Sequence, residues 1–324
     1  MSMRAKHSNA IVLTLPSRQD DDFRFSLVTF NVLAPCYRQG ERGAPSGSWW
    51  PWRRRSAPEP AVRWQARAND IAALLGNATS TASPVADIIC LQEYFFHPTW
   101  QRIFQRALPD TAFECLTLKR AGKKEDGLAM WIHRARFRMQ RWHAVQLPPR
   151  GDRVALLAHL VSASQPEHTF LVGNVHLTFP HTVMERHLRV EQARTLLRAV
   201  DAFICDAGAV PVFLCGDWNT LRPDDAVVQC LQQGGYRAAR IEPTMLTHRT
   251  HRGDLVGCDM IFYRAPNCTL HIQEQLLPLH LSPYTWPAEQ EYALSDHRPL
   301  RAAVRWRRAA ADGAPESYRL TSRL

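Results

Sequence analysis

The sequence predicts an α/β protein built as a four-layer α/β sandwich, with two mixed β-sheets packed face to face and helices outside them. Two observations predict this class. Strand-like apolar runs outnumber amphipathic helices, and the helices are interspersed among hairpin-like pairs of strands. Such a chain can bury its apolar faces as a sandwich of sheets covered by helices. Its 324 residues, 45% of them hydrophobic, are enough for a sizeable core.

The first part of the chain is predicted to alternate buried strands with amphipathic helices. A flexible segment at residues 1–23 precedes a buried strand at 25–32, which reads FSLVTFNV. Residues 62–75 place their apolar side chains on one face and therefore predict a helix. A second buried strand is expected at 86–91, and Pro98 is expected to open the next helix.

The second part is predicted to be richer in strands. We expect strands at 112–118, 127–132, 137–147, 153–161, 169–177, 210–215, 257–264, 268–277 and 299–306. The longest helix is expected at 185–204. A short helix is expected to be capped by Pro223-Asp224-Asp225 and to end at Gly234-Gly235. These elements assign residues 24–308 to one domain, followed by a loose polar tail at 309–324.

A stretch rich in tryptophan and arginine, at about residues 38–60, interrupts this pattern. Its Gly, Pro and Ser residues predict a long loop or insertion. Arginines contact phosphates, and tryptophans stack on the bases of single strands. We therefore expect Arg53, Arg54 and Arg55 to bind a polyanionic substrate. The alternative is a solvated basic loop whose tryptophans pack inward.

The overall charge also favours an anionic partner. Lys and Arg number 40 against 30 acidic residues, which gives a net charge of +10. Such a surface suits nucleic acid, phosphoinositide headgroups or an anionic membrane, although solvated arginines alone would give the same balance. No apolar run reaches the roughly 18 residues of a membrane span.

The eight cysteines and the N-terminus bear on the compartment. No Cys-x-x-Cys pair is present, so a zinc knuckle is not expected, and several cysteines lie in apolar runs typical of buried thiols in a reducing compartment. No secretory cleavage site is evident. We expect a cytoplasmic or nuclear monomer, while the basic, acid-free first 19 residues are also compatible with organellar targeting.

Five polar clusters lie next to apolar strands. They are Asn31, Gln92-Glu93, Asn174-Val175-His176, Asp217-Trp218-Asn219 and Ser295-Asp296-His297. Polar side chains at strand ends can converge at one rim of a sheet, where α/β enzymes usually build sites. Each cluster alone is weak, because a strand-end Glu is usually solvated and a lone His is more often structural. The prediction depends on the ordered set.

These residue types suit the hydrolysis of a phosphate ester. The charged phosphate oxygens need a hard cation, and Mg²⁺ typically takes only one or two protein carboxylates, for which Glu93 is the natural candidate. A water nucleophile needs a base, which Asp217 can supply. His176 and His297 can stabilise the charge that develops.

The motifs, in this order, resemble the endonuclease/exonuclease/phosphatase superfamily. They are TFN at 29–31, LQE at 91–93, NVH at 174–176, GDWN at 216–219, CDMIF at 258–262 and SDH at 295–297. The resemblance spans about residues 25–306, which is nearly the whole chain. It implies a deoxyribonuclease I-like fold and a phosphoric ester hydrolase that depends on Mg²⁺ or Mn²⁺. It further implies that Glu93 binds the metal, with Asn31 and Asp296 near it.

The resemblance also implies catalytic roles for five residues. Asp217 would activate water, while Asn219 and His176 would hold the scissile phosphate. His297 would stabilise the transition state, and Asp259 would orient His297. A buried carboxylate that fixes the tautomer of an imidazole makes this last pairing physically reasonable.

Within the superfamily, the chain is most similar to the deadenylase-like branch that includes nocturnin, Angel proteins and the carbon-catabolite-repression deadenylases. FNVLAP at 30–35, DIICLQE at 87–93 and DGLAMW at 126–131 resemble that branch, whereas NVHLTFP at 174–180 and THRTHRG at 247–253 look closer to uncharacterised plant and protist members. This implies a nuclease of the 3′ exoribonuclease or deadenylase type acting on single-stranded RNA. The alternative is a phosphatase or phospholipase-type member acting on a phospholipid, phosphoinositide or nucleotide.

Overall fold

The fold combines fourteen strands and four α-helices within the residues that the structure describes, which are 22–38, 58–76, 84–148, 152–222, 224–239 and 245–308. In this computed structural model the elements run in the order β1 (Phe23–Asn31), α1 (Ala61–Gly76), β2 (Ile88–Phe95), α2 (Pro98–Ala107), β3 (Phe113–Lys119), β4 (Asp126–His133), β5 (Phe137–Leu147), β6 (Arg153–Ser162), β7 (Thr169–His176), α3 (Val183–Ile204), β8 (Val212–Asp217), α4 (Ala226–Gln233), β9 (Arg237–Ala238), β10 (His248–Arg249), β11 (Leu255–Val256), β12 (Asp259–Arg264), β13 (Cys268–Leu276) and β14 (Leu300–Arg308). None of the helices in these segments is both long and apolar enough to cross a membrane.

Two six-stranded sheets form the centre of the molecule. The first has the order β13-β14-β1-β2-β4-β3, and the second has the order β5-β6-β7-β8-β12-β9. Each sheet contains one parallel pair, β1 with β2 and β7 with β8, among otherwise antiparallel neighbours. The short strands β10 and β11 form a separate hairpin. The predicted sandwich of two mixed sheets with helices outside is therefore confirmed.

Three apolar layers hold the four layers of secondary structure together. Residues of β1 alternate between two of them, because both faces of the sheet are covered. Phe25 faces the second sheet and stacks on Phe170, with ring centroids 4.7 Å apart. Val28 and Phe30 face the other way, toward α1 and α2. The outer face of the second sheet packs on α3 and α4 in the same manner, with Leu196 in that layer.

The boundaries of α3 show how a local signal extends an element. The apolar period predicts a helix from residue 185, whereas the helix begins at Val183. Thr182 caps it, since its hydroxyl accepts a hydrogen bond from the backbone N–H of Glu185 and the Glu185 carboxylate accepts one from the N–H of Thr182. This capping box satisfies donors that the first turn of a helix leaves unpaired.

Several predictions concern segments outside the described residues. These segments include most of the N-terminal lead-in, residues 39–57 of the loop at 38–60, and the tail from 309. Arg53, Arg54 and Arg55 fall among them, and their assignment to substrate binding stays a prediction. All eight cysteines are free thiols, but only Cys90, Cys215 and Cys258 are buried, and Cys205 is exposed.

Candidate active site

The ends of five strands, two from the first sheet and three from the second, meet at one end of the sandwich. Because β1 runs parallel to β2, Asn31 lies beside Gln92, and because β7 runs parallel to β8, His176 lies beside Asp217. Strand β12 is antiparallel to β8, so its first residue, Asp259, lies opposite Asp217. The sheet topology thus brings polar residues from both sheets to one rim.

All the site residues predicted within the described segments gather at this rim. They are Asn31, Glu93, His176, Asp217, Asn219, Asp259, Asp296 and His297. Residues 264 positions apart in sequence meet here, as in the 2.8 Å hydrogen bond from the Ser295 hydroxyl to the Asn31 carbonyl. Their convergence follows from strand pairing and could not come from local sequence.

Asp217 lies at the centre of the cluster and is 1% exposed. Its Oδ1 accepts a hydrogen bond from the backbone N–H of Asn219 at 2.9 Å. Its Oδ2 accepts one from Asn31 Nδ2 at 3.0 Å, and it lies 3.4 Å from His176 Nε2 and 3.8 Å from His297 Nε2. One carboxylate oxygen therefore faces the groups that would surround a reacting water.

The electrostatics distinguish a proton acceptor from its neighbours. Burial raises the pKa of Asp217, and the nearby His297 partly opposes that rise. A raised pKa makes a carboxylate a stronger base, as general-base catalysis requires. Burial, together with Arg153 and Arg120, holds the pKa of His176 well below its usual value. His176 is therefore a neutral imidazole at physiological pH.

His297 has the opposite character. Its Nδ1 lies 2.8 Å from Asp259 Oδ2, and both side chains are buried. Burial disfavours the imidazolium, but Asp259 and Asp217 outweigh that effect and raise the pKa of His297 to about 10. The ring is therefore a cation at neutral pH, suited to stabilise developing negative charge and unsuited to accept a proton.

Glu93 lies at an irregularity in β2 that turns its side chain toward the rim. The register with β4 shifts between Gln92 and Tyr94, and Glu93 has a left-handed φ of 54°. Its Oε2 accepts a hydrogen bond from the backbone N–H of Ala34 at 3.0 Å. A bulge can re-aim one side chain in this way, and strained backbone conformations of this kind cluster at functional sites.

The charges around Glu93 fit a cation. Loss of hydration, together with the carboxylates of Asp296 and Asp126, raises the pKa of Glu93 to about 7. Carboxylate oxygens are the ligands that Mg²⁺ prefers, and a divalent ion would relieve this crowding of like charge. The residues present therefore fit a hard divalent metal, held by Glu93 with Asp296 and the Asn31 amide nearby.

A second group in the described segments also has metal-ligand chemistry. Asp217, Cys258, Asp259 and His297 offer ligand atoms within 4.8 Å of one another. The Asp259–His297 pair already satisfies two of these groups, and the Cys258 thiol, whose pKa burial raises well above its usual value, is a soft ligand. Glu93 therefore remains the better candidate for Mg²⁺ or Mn²⁺.

Binding of Mg²⁺ or Mn²⁺ is expected to weaken as the pH falls below about 7. With the pKa of Glu93 at about 7, a proton must leave the carboxyl group for each cation bound below that pH. The apparent affinity should then fall about tenfold per pH unit and level off above it. Calorimetric titration of the metal measures this. An affinity that does not change between about pH 6 and about pH 8 would contradict the assignment.

Two buried arginines that sequence reasoning did not identify support the site from the outer helices. Arg67 of α1 donates to the carbonyls of Val32, at 2.7 Å, and Leu33, at 2.8 Å, and it pairs with Glu59 at 2.6 Å. It thereby holds the backbone that directly follows Asn31. A signal was present, because Arg67 lies on the inward face of α1, three residues after Trp64.

Arg189 of α3 does the same for the second sheet. It donates to the Asn219 carbonyl at 2.8 Å and pairs with Asp225 at 2.7 Å. Asn219 has a left-handed φ of 52°, so its backbone needs such support. The signal in this case is spacing, since Arg189 precedes the buried Gln192 and Ala193 by three and four positions.

Arg189→Met is expected to lower the free energy of unfolding by about 3–5 kcal/mol, because it leaves the Asp225 carboxylate without its buried partner. Arg194→Met on the same helix is the matched control. Arg194 is 55% exposed and pairs with Glu191, so its loss should cost less than about 1 kcal/mol. Urea unfolding compares the two variants, and equal losses would contradict the prediction.

Comparison with known proteins places this geometry in context. The sequence profile of the Endonuclease/Exonuclease/phosphatase family matches residues 28–297. An uncharacterised calcium-binding protein of Arabidopsis thaliana is 26% identical over 264 residues, covering 75% of this chain and 51% of the relative. Nocturnin of Drosophila melanogaster is 30% identical over 210 residues, covering 62% and 29%. The chain thus spans about half the length of the Arabidopsis protein and less of nocturnin.

Solved structures share the fold. The human nocturnin catalytic domain with a bound sulfate anion superimposes with a TM-score of 0.61 at 18% identity, covering 88% of this chain and 94% of that one. ANGEL2, described as a 2′,3′-cyclic phosphatase and bound to adenosine-2′,3′-vanadate, gives a TM-score of 0.61 at 18% identity, with coverage of 88% and 96%. These likenesses show the fold, and the profile match over residues 28–297 shows that the chain belongs to the Endonuclease/Exonuclease/phosphatase family.

Proposed function

We propose that this protein is a divalent-metal-dependent phosphoesterase that hydrolyses phosphodiester bonds in single-stranded RNA, as a nuclease of the 3′ exoribonuclease or deadenylase type. The observation that carries the proposal is the environment of Asp217. A buried carboxylate of raised pKa lies between a neutral imidazole, His176, and a cationic one, His297. A base and two different polar donors are what attack of water on a phosphate ester requires.

Each residue has a step that its surroundings support. Asp217 Oδ2 accepts the proton of the attacking water. His176 holds the scissile phosphate, and Asn219 can assist because Nδ2 uses one hydrogen for the Leu177 carbonyl, at 2.9 Å, and keeps the other. His297 stabilises the charge of the transition state, with Asp259 fixing its orientation. A divalent cation at Glu93 would supply neutralisation of the phosphate charge.

RNA is favoured as the substrate by charge and by the nature of the relatives. The net charge of +10 suits a polyanion, and nocturnin and an Angel protein are among the relatives. A second candidate is a phosphatase acting on a terminal phosphate, which the description of ANGEL2 as a 2′,3′-cyclic phosphatase favours. Phospholipids, phosphoinositides and nucleotides are the other substrates to be tested for a phosphatase or phospholipase-type activity.

A substrate panel with Mg²⁺ or Mn²⁺ tests the proposal. It contains poly(A), other single-stranded RNA, RNA ending in a 2′,3′-cyclic phosphate, abasic DNA, sphingomyelin, phosphoinositides and NADPH. Stepwise shortening of RNA from its 3′ end supports the nuclease. Release of phosphate, or opening of the cyclic end, with no change in RNA length supports the phosphatase. Hydrolysis of lipid alone overturns both, and chelation of the metal should abolish every activity.

The joint change of Arg53, Arg54 and Arg55 to alanine is expected to raise KM on long RNA and to flatten its dependence on salt. Each arginine that contacts a phosphate releases counterions, and none of the three can act as a base or a metal ligand. Hydrolysis of a small phosphodiester should therefore stay near the wild-type rate. An unchanged salt dependence of KM would indicate a solvated loop that does not contact the substrate.

A further inference from the structure

The segment around β10 is joined to the Ser-Asp-His motif by its backbone. Arg249 N–H donates to the Asp296 carbonyl at 2.8 Å, and Arg298 N–H donates to the Thr247 carbonyl at 2.7 Å. The Thr247 hydroxyl also accepts a hydrogen bond from the N–H of Asp259 at 3.1 Å. This short antiparallel bridge places the side chain of the residue between them, His248, directly at the catalytic cluster.

The imidazole of His248 covers one face of the His297 ring. The two rings are nearly parallel, with centroids 3.9 Å apart and an interplanar angle of 6°. Asp259 lies 2.8 Å from His297 Nδ1 and Asp217 lies 3.8 Å from its Nε2, so both carboxylates contact the edge of the ring. The His248 ring instead packs against the face of His297 and restrains the tilt of its plane, and an aromatic face also favours a neighbouring cation.

The edge of the His248 ring faces a different group. Its Nε2 lies 3.7 Å from Asp296 Oδ2, while Asp296 Oδ1 lies 4.0 Å from His297 Nε2. The Asp296 side chain is 37% exposed, and its Oδ1 also accepts a hydrogen bond from the Ser295 hydroxyl at 3.3 Å, so the His248 ring is the neighbour that faces Oδ2. His248 thus contacts both His297, which is assigned to stabilise the transition state, and Asp296, which is assigned to the surroundings of the metal.

We propose that His248 is a positioning residue for phosphoester hydrolysis, holding the plane of His297 through its ring face and the orientation of Asp296 through its Nε2. This inference rests on the proposed function, and it gives a reason for histidine at this position. Phenylalanine could stack but could not bond to a carboxylate. Asparagine could offer an N–H but could not stack. The imidazole of histidine can perform both tasks.

The two tasks can be separated with His248→Phe and His248→Asn. Hydrolysis of bis(p-nitrophenyl) phosphate at saturating metal gives kcat and KM, and the thermal shift on titration with Mn²⁺ gives metal affinity without substrate. We expect His248→Asn to lower kcat by about 10- to 100-fold with little change in KM or in Mn²⁺ affinity. We expect His248→Phe to keep kcat within about threefold but to weaken Mn²⁺ binding by about 10-fold.

The controls make each outcome decisive. His248→Ala should show both defects, and His187→Phe, an exposed position on α3, should show neither. Equal losses in the Phe and Asn variants, with or without a lower melting temperature, would show that His248 only supports the fold and would overturn the proposal. Wild-type values of both readouts in His248→Ala would also overturn it. A wild-type protein inactive on every phosphodiester would instead overturn the proposed function, while the Mn²⁺ titrations would still test the contact with Asp296.

Discussion

Asp217→Asn is expected to lower kcat by about 10²- to 10⁴-fold, the range that loss of a general base produces. The substitution keeps the shape of the side chain and an oxygen for the Asn219 N–H, but it removes the capacity to accept a proton. The new amide NH2 replaces the oxygen that accepts from Asn31 Nδ2, so that hydrogen bond is lost. His176 and Asn219, which are assigned to the phosphate, are unchanged, and KM should therefore change much less than kcat. Steady-state kinetics on poly(A) and on a small phosphodiester measures both constants.

The matched control for this variant is Asp206→Asn, which changes an acid whose side chain is 80% exposed. Asp206 precedes β8, whereas Asp217 is the last residue of that strand. It should retain wild-type kinetics. The melting temperatures of both variants should match that of the wild type closely enough to exclude unfolding. Turnover of Asp217→Asn near the wild-type rate at saturating substrate would show that this carboxylate is structural, and another residue would then have to activate the water.

Glu93→Gln is expected to reduce turnover by about 10²-fold or more, and Glu93→Ala to abolish it, since several kcal/mol of charge stabilisation depend on the metal. Glutamine keeps an oxygen for the N–H of Ala34, so the local backbone should survive. Raising the Mg²⁺ concentration should recover part of the activity of Glu93→Gln. Full activity of Glu93→Ala at low Mg²⁺ would rule out Glu93 as the ligand.

Glu93→Gln should be more stable to unfolding than the wild type in metal-free buffer above about pH 7. The folded state raises the pKa of Glu93 to about 7, so its ionised form is disfavoured by folding. The folded wild type therefore loses no stability from Glu93 below the usual pKa of a glutamate, about 4.3. The loss grows as the pH rises from about 4.3 to about 7 and is complete above about pH 7. Glutamine cannot ionise and avoids it. Urea unfolding with chelator measures the difference, which should vanish at acidic pH.

The sequence was informative where its signals are periodic. Strands such as β1 and β8 are buried on both faces and appear as apolar runs, and their polar residues Asn31 and Asp217 mark the ends. The order of these motifs then predicted the family and the two-sheet fold, which are confirmed. Strands β10 and β11 could not be predicted. A strand of two residues is too short to show an alternation of apolar and polar residues, and it is defined only by its pairing partner.

His248 shows the same limit at the level of a single residue. Nothing in THRTHRG distinguishes a histidine that stacks on His297 from one that faces solvent, such as the exposed His251. The distinction arises from a backbone bridge between segments 49 positions apart, His248 with His297. Arg67 and Arg189 are intermediate cases, since a charged residue on an apolar helix face is visible in the sequence but its acceptors are not.

The hydrogen bond from Asn31 to Asp217 joins the first sheet to the second, and neither sheet carries a complete set of reactive groups. The first sheet contributes the Glu93 side, while the second contributes His176 and Asp217. Turnover should therefore depend on the distance between the two sheets. Displacing a reactive group by about 1 Å can lower the rate about 10²-fold. Looser packing in the apolar layer that contains Phe25 and Phe170 should therefore abolish turnover before any strand unfolds. Heating should extinguish turnover ahead of the far-ultraviolet circular dichroism signal.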